Sequence, residues 1–307
     1  MDIFLQQIIN GLVQGSIYAL VALGYTMVYG IMGLINFAHG EVVMIGTLVT
    51  ISVAGFMIKA GMPVMLAGMA GLTAAVLVCM ALGWGLERIA YRPLRNAPRL
   101  TPLITAIGMS IVLQNVAMII WGRNYLTFPP LLPKVDFEFA GANFTAVQVI
   151  IVAVSALTMG GLLFLVYRTK LGMAMRATSQ NPAVASLMGV NINRVIAAAF
   201  IIGSALGALA GIMVGPYYET AHYQMGFMLG LKAFTAAVLG GIGNLAGAML
   251  GGILLGLIEA LGAGYIGDLT GGFLGSHYQD IFAFMVLIVV LMFKPSGLFG
   301  EKTGDRA

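Results

Sequence analysis

Charge is what this chain has least of. Asp, Glu, Lys and Arg make up 8% of its 307 residues, against roughly a quarter in an ordinary globular domain. That shortage excludes a normal water-soluble surface, and no polar stretch is long enough to fold alone. The chain also has one cysteine, Cys79. It sits in an apolar run, which excludes a disulfide framework and a thiolate metal cluster and leaves it a packing residue. The three histidines, His39, His222 and His277, are far apart in the chain. The phosphate-binding pattern G-x-x-x-x-G-K-[ST] is absent, as are H-E-x-x-H and any paired-carboxylate constellation. No catalytic residue, metal or cofactor is therefore expected. The N-terminus has no positive n-region and no small-residue cleavage site, so a removable signal peptide is not expected either.

What remains is apolar: 60% hydrophobic residues and 42 glycines, with a mean hydropathy of +0.99. Glycine is common in transmembrane helices. Apolar runs occur at 3–34, 42–58, 63–83, 101–121, 145–167, 195–217, 227–243, 245–264 and 281–293. About 20 residues of helix cross the hydrocarbon core. The first run is too long for one straight helix, and the seventh and ninth are short. The expected fold is an all-α polytopic membrane protein of roughly eight to ten helices, some broken or short. Eleven of the 15 Lys and Arg residues lie in three places: Arg88, Arg92, Arg95 and Arg99; Arg168, Lys170, Arg176 and Arg194; and Lys294, Lys302 and Arg306. The positive-inside rule makes these segments and the C-terminus cytoplasmic, and parity then places the N-terminus outside. Parity also requires the run at 227–243 to cross.

Glycines Gly203, Gly207, Gly211 and Gly215 recur every four residues on one helix face, and Gly247/Gly251 and Gly252/Gly256 repeat the habit. Such spacing lets helix backbones approach closely. Elsewhere glycine breaks helices. Between Asp2 and Lys59 the one charged side chain is Glu41, inside the cluster Asn36-Phe37-Ala38-His39-Gly40-Glu41. Ionisable residues at membrane depth mark pathways or specific partners; the plainer alternative is a short surface loop. Gly240-Gly241-Ile242-Gly243-Asn244 interrupts the last third in the same way. Two such breaks point to an internal inverted repeat with a translocation site between its halves. On that ground Asn36, His39, Gly40, Glu41, Gly241, Gly243 and Asn244 are candidates for a path or gate. Glu259 joins them as a lone deep carboxylate, with a structural pair or cavity wall favoured over an ion site. Gln114 and Asn115, with Thr105 and Ser110, are expected to make interhelical hydrogen bonds. Gln14, Ser16 and Tyr18 either line a cavity or cross-link neighbours, and Lys232 is expected to snorkel outward.

The segment 168–194 carries its own structure. Asn181-Pro182 reads as N-cap and first helical position, and Gly189 as the residue that ends the helix. Between them lies a helix of about two turns with Val184, Leu187 and Met188 exposed. It either lies on lipid headgroups or docks a cytoplasmic partner.

Several stretches carry a family resemblance: YTMVYGIMGLINFAHGEVVMIG at 25–46, ERIAYRPLR at 87–95, ITAIGMSIVLQN at 104–115, LMGVNINRV at 187–195, KAFTAAVLGGIGNLAGAMLGG at 232–252 and KPSGLFG at 294–300. Along essentially its whole length the chain resembles the LivH-type permease of high-affinity branched-chain amino acid ABC importers. The resemblance implies one permease domain over 1–307 with a coupling helix within 168–194, in the bacterial inner membrane. It implies transport of leucine, isoleucine and valine. The implied partners are a homologous LivM-type permease, two cytoplasmic ATPases and an extracytoplasmic binding protein, beside membrane lipid and without nucleic acid. In it, Asn181, Pro182, Val184, Leu187, Met188 and Gly189 occupy the ATPase-docking place. The stretch Ala183-Val184-Ala185 departs from the Glu-Ala-Ala signature of many other ABC importers. Relatives carrying urea, amides or other amino acids look similar at this level. An ion-coupled secondary transporter with Glu41 or Glu259 as coupling group, and a solute channel, are the competing classes.

Replacing Leu187 or Gly189 by Asp is expected to abolish uptake while the protein still inserts in the membrane; undiminished uptake by either variant would remove the docking assignment.

Overall fold

The computed structural model describes residues 2–95, 97–98, 100–131, 135–139, 141–269 and 278–300. Arg99, His277, Lys302 and Arg306 lie outside them, as does the side chain of Asp268. The long helices are α1 (Asp2–Met32), α2 (His39–Lys59), α3 (Val64–Gly85), α4 (Leu100–Trp121), α5 (Ala146–Arg168), α8 (Ile192–Tyr218) and α10 (Leu245–Leu269). The shorter ones are α6 (Lys170–Gln180), α7 (Pro182–Leu187), α9 (Met225–Gly240) and α11 (Gln279–Phe293). Among the described residues seven helices are long and apolar enough to cross a membrane, and two shorter apolar ones accompany them. The polytopic helical architecture expected from the apolar runs is the one observed.

Two departures from an all-helical chain occur, both in loops. Strand β1 (Leu126–Thr127) pairs antiparallel with β4 (Thr220–Ala221), and β2 (Asp136–Phe139) with β3 (Ala142–Thr145). These segments leave the helices and satisfy their backbone groups on one another.

The first apolar run does not break. It forms one helix of 31 residues, about 46 Å long at 1.5 Å per residue. The interruption falls just after it, where Gly33 takes φ +65° and its N–H closes on the Tyr29 carbonyl. Beyond α3 the helix continues through a wider π turn (Leu86–Tyr91) and a 3-10 turn (Arg92–Leu94). The first basic cluster is thus partly helical. Glu87 is buried there and pairs with Arg92 and Arg95, and Arg95 reaches Asn193 at the start of α8.

Helix α1 runs antiparallel to α10. A Cβ added at Gly11 would meet Leu257, one at Gly15 would meet Ile253, and one at Gly252 would meet Ala19. A Cβ on Gly256 would collide with the backbone of Gly15. Small residues thus let two helix backbones touch, the main source of helix association where lipid offers no hydrophobic contrast. The α8 glycines serve the same end: Gly203 faces Gly24, Gly207 faces His39, Gly211 faces Val43 and Thr47, and Gly215 faces the Phe128 ring. Cys79 is buried with its Sγ 3.4 Å from the Val42 carbonyl, a packing residue. Helices α3, α4 and α5 turn Leu77, Ile104, Ile119, Leu157 and Phe164 outward, the apolar perimeter a lipid environment requires.

The described members of the three basic clusters gather where α1 ends and α8 begins. At this end α7 forms as its caps dictate. Asn181 Oδ1 accepts from the Val184 N–H at 3.1 Å. Gly189 has φ +85°, with Gly189 N–H on the Ser186 carbonyl and Val190 N–H on that of Ala185, both at 3.0 Å. That pair of bonds is a Schellman closure. Leu187 is 87% exposed and Met188 81%, and Val184 is also exposed.

Gly256→Val is expected to lower stability by about 1–3 kcal/mol through overpacking at the α1–α10 seam, read by thermal unfolding of the purified protein in detergent. Gly55→Val, whose added atoms meet open space, is expected to leave it unchanged.

Candidate functional site

The run expected to cross at 227–243 forms a short apolar helix. Helix α9 has 16 residues, and its first turn lies against the first turn of α2. A Cβ at Gly226 would lie 2.6 Å from a Glu41 carboxylate oxygen and from the Gly40 carbonyl, and one at Gly230 would lie 3.1 Å from Gly40 Cα. His39, at the start of α2, packs on Gly207, midway along α8. Two helix N-termini therefore meet inside the bundle, and residues 219–224 carry the chain down to that depth from the end of α8.

Each residue of the first break has a defined task there. Asn36 Oδ1 accepts from the Ala38 N–H at 3.1 Å and from the Tyr91 hydroxyl at 2.8 Å, fixing the turn to the helical extension of α3. The His39 ring lies 4.9 Å from the Tyr25 ring, edge on. It fills the hollow at Gly24 and Gly207, and its Nε2 has no hydrogen-bond partner. Gly40 provides the close approach to α9.

Glu41 is completely buried, so the surface-loop alternative is excluded. Its Oε1 accepts from Ser110 Oγ at 2.9 Å and Gln114 Nε2 at 2.8 Å, both on α4. Oε2 has no hydrogen-bond partner and points at Gly226. The first turns of α2 and α9 meet beside this side chain. Ser110 and Gln114 also line a cavity of about 410 Å³, walled by Phe37, Ile107, Ile111 and Phe227. Apolar walls with a few convergent polar groups are the composition of a small-molecule site. The i, i+4 spacing of Ser110 and Gln114 in a largely apolar helix is the available sequence signal. Of the polar residues expected to bridge helices there, those two do; Asn115 and Thr105 bond to their own helix, at the Ile111 and Thr101 carbonyls.

The second break is elsewhere. Gly241 has φ +106° and Gly243 φ +98°. Asn244 caps α10 by accepting from the Gly247 N–H at 3.0 Å, and donates to the Phe299 carbonyl at 2.9 Å. The segment after α11 seals this turn, with Leu298 N–H on the Leu239 carbonyl and Phe299 N–H on that of Gly240. Gly243 touches α1 at Gly30. The two breaks therefore do not face each other; the first faces the beginning of α9.

Glu259 occupies a third place. Its Oε2 accepts from Gln14 Nε2 and the Tyr18 hydroxyl, both at 2.8 Å, and from Lys232 Nζ at 3.2 Å. Lys232 does not snorkel outward. It is 9% exposed and also lies 2.7 Å from Asp280. Gln14 and Tyr18 cross-link α1 to α10, whereas Ser16 bonds to its own helix at Leu12. Among the described residues no group of His, Cys, Asp and Glu is arranged to hold a metal.

A family model described as the permease component of branched-chain amino acid transport systems matches residues 7–291. The high-affinity branched-chain amino acid transport permease BraD of Pseudomonas aeruginosa is 46% identical over 99% of this chain and 98% of its own length. LivH of Escherichia coli, of the same description, is 44% identical over 99% of this chain and 97% of its own. A probable LivH of Methanocaldococcus jannaschii is 26% identical, covering 97% and 94%.

Gly226→Ala is expected to cut the initial uptake rate at least tenfold by driving a methyl group into Glu41 and Gly40, while Gly85→Ala, which meets open space, leaves the rate unchanged.

Proposed function

The chain belongs to the branched-chain amino acid transport permease family, and on that premise we propose that it is the membrane-spanning permease subunit of an ABC importer carrying leucine, isoleucine and valine. The observation that carries the proposal is the 46% and 44% identity to permeases of that description across nearly the whole chain. The geometry is consistent with it. A cavity walled by Phe, Ile and Met side chains accepts an aliphatic side chain, and the buried Glu41 with Ser110 and Gln114 supplies the polar pole beside it.

In this reading the subunit is a gate with two arrangements, biased by nucleotide binding in partner ATPases. The junction of α2 and α9, with Asn36, His39, Gly40 and Glu41, is the element that rearranges along the path. Gly241, Gly243 and Asn244 form the hinge sealed by the C-terminal segment, and Glu259 braces the wall of the path. The capped helix α7, with Asn181, Pro182, Val184, Leu187, Met188 and Gly189, is the docking point for an ATPase. Its bare apolar face beside basic residues supports that role. A LivM-type permease, two ATPases and an extracytoplasmic binding protein complete the assembly in the inner membrane. The basic end of the bundle and the C-terminus are cytoplasmic by the positive-inside rule.

The complete complex reconstituted in liposomes is expected to take up leucine only with ATP and a cognate binding protein. Accumulation by this chain alone, driven by a sodium or proton gradient, would overturn the proposal in favour of secondary transport.

A further inference from the structure

The cluster around Lys232 has more in it than a structural ion pair needs. Lys232 on α9 holds two carboxylates, Glu259 on α10 and Asp280 on α11. Glu259 is already satisfied by Gln14 and Tyr18. It is buried, whereas the Asp280 side chain is 32% exposed. One partner of the ammonium is thus enclosed, and the other side chain is partly exposed.

The ammonium also faces a space. Lys232 lines a cavity of about 230 Å³ with Tyr18, Tyr218, Val214, Met225 and Leu229, and its Nζ lies 5.7 Å from the Tyr18 ring centre. A cation nine-tenths buried at the wall of an apolar, aromatic cavity is a site for an anionic group attached to an apolar body. Met228 lines this cavity and also the one at Ser110 and Gln114. The first turn of α9 is therefore the partition between a cavity with a cation and a cavity beside a carboxylate.

We infer that the Lys232 cavity is a binding subsite for the α-carboxylate of the transported amino acid, which replaces Asp280 on the Lys232 ammonium while Glu259 stays in place. The exchange conserves charge at Lys232. The released Asp280 carboxylate is left to accept the α-ammonium, so a zwitterion inserts into an existing ion pair without stranding a buried charge. At this subsite, a separate station from the Ser110–Gln114 cavity, the aliphatic side chain lies against Val214, Met225 and Leu229. The inference rests on the amino-acid importer reading and adds where the carboxylate is held.

The test separates recognition from bracing. In the double variant Lys232→Met/Glu259→Gln both buried charges go together, which avoids leaving an unpaired one. The complete complex carrying it is reconstituted with the binding protein, and leucine transported per ATP hydrolysed is measured. A fall of at least tenfold in that ratio relative to the unaltered complex is expected. An unchanged ratio, whether both rates persist or both fall together, would show that Lys232 is only a brace and overturn the inference. Failure of the unaltered complex to move leucine would instead overturn the importer reading itself.

Discussion

A helix that starts inside an apolar bundle leaves several backbone N–H groups without partners, and no water is at hand to take them. Two helices of this protein start that way, and they start against each other. The Glu41 side chain sits between them. Its Oε1 is held by Ser110 and Gln114 from a third helix. Those two bonds tie α4 to the junction of α2 and α9, while Glu41 Oε2 has no hydrogen-bond partner. Gly40, Gly226 and Gly230 follow from the same constraint, since any Cβ at these positions would occupy the space the contact needs.

Around this junction the bundle is held by close backbone contact rather than by large side chains. The α1–α10 seam and the α8 glycine face bring helix axes near enough for dispersion and packing to substitute for a hydrophobic driving force. The Lys232–Glu259–Asp280 cluster ties α9, α10 and α11 together on one side. The C-terminal segment closes over the turn at Gly240–Asn244 on another. Helix α9 is thereby fastened at its middle and its C-terminal end, while its first turn faces two cavities. In the proposed gate this short helix is the element that shifts.

Much of this architecture was legible in the residues. Apolar runs located the spans because a bilayer demands them. The caps of α7 were legible because Asn, Pro and Gly act through local backbone chemistry. The glycine faces were legible because their spacing equals a helical turn. The candidate site was harder to read. The unbroken first helix and the early start of α9 depend on which helix lies opposite. The partner of Lys232 was hidden because Glu259 and Asp280 lie on other helices, and a lysine near a span end normally reaches for water.

Sequence alone determined that the chain is a membrane helical bundle, where its basic end lies, where α7 begins and ends, and which family it belongs to. These follow from local rules: hydropathy, capping, charge counting and extended motifs. The tertiary structure alone decided that Glu41 lies buried between two helix N-termini, that Ser110 and Gln114 hold it, and that the second break packs against the C-terminal segment. It also decided that Lys232 turns inward. Each of these depends on contacts between residues far apart in the chain, and in a uniformly apolar sequence hydropathy does not specify which helix faces which.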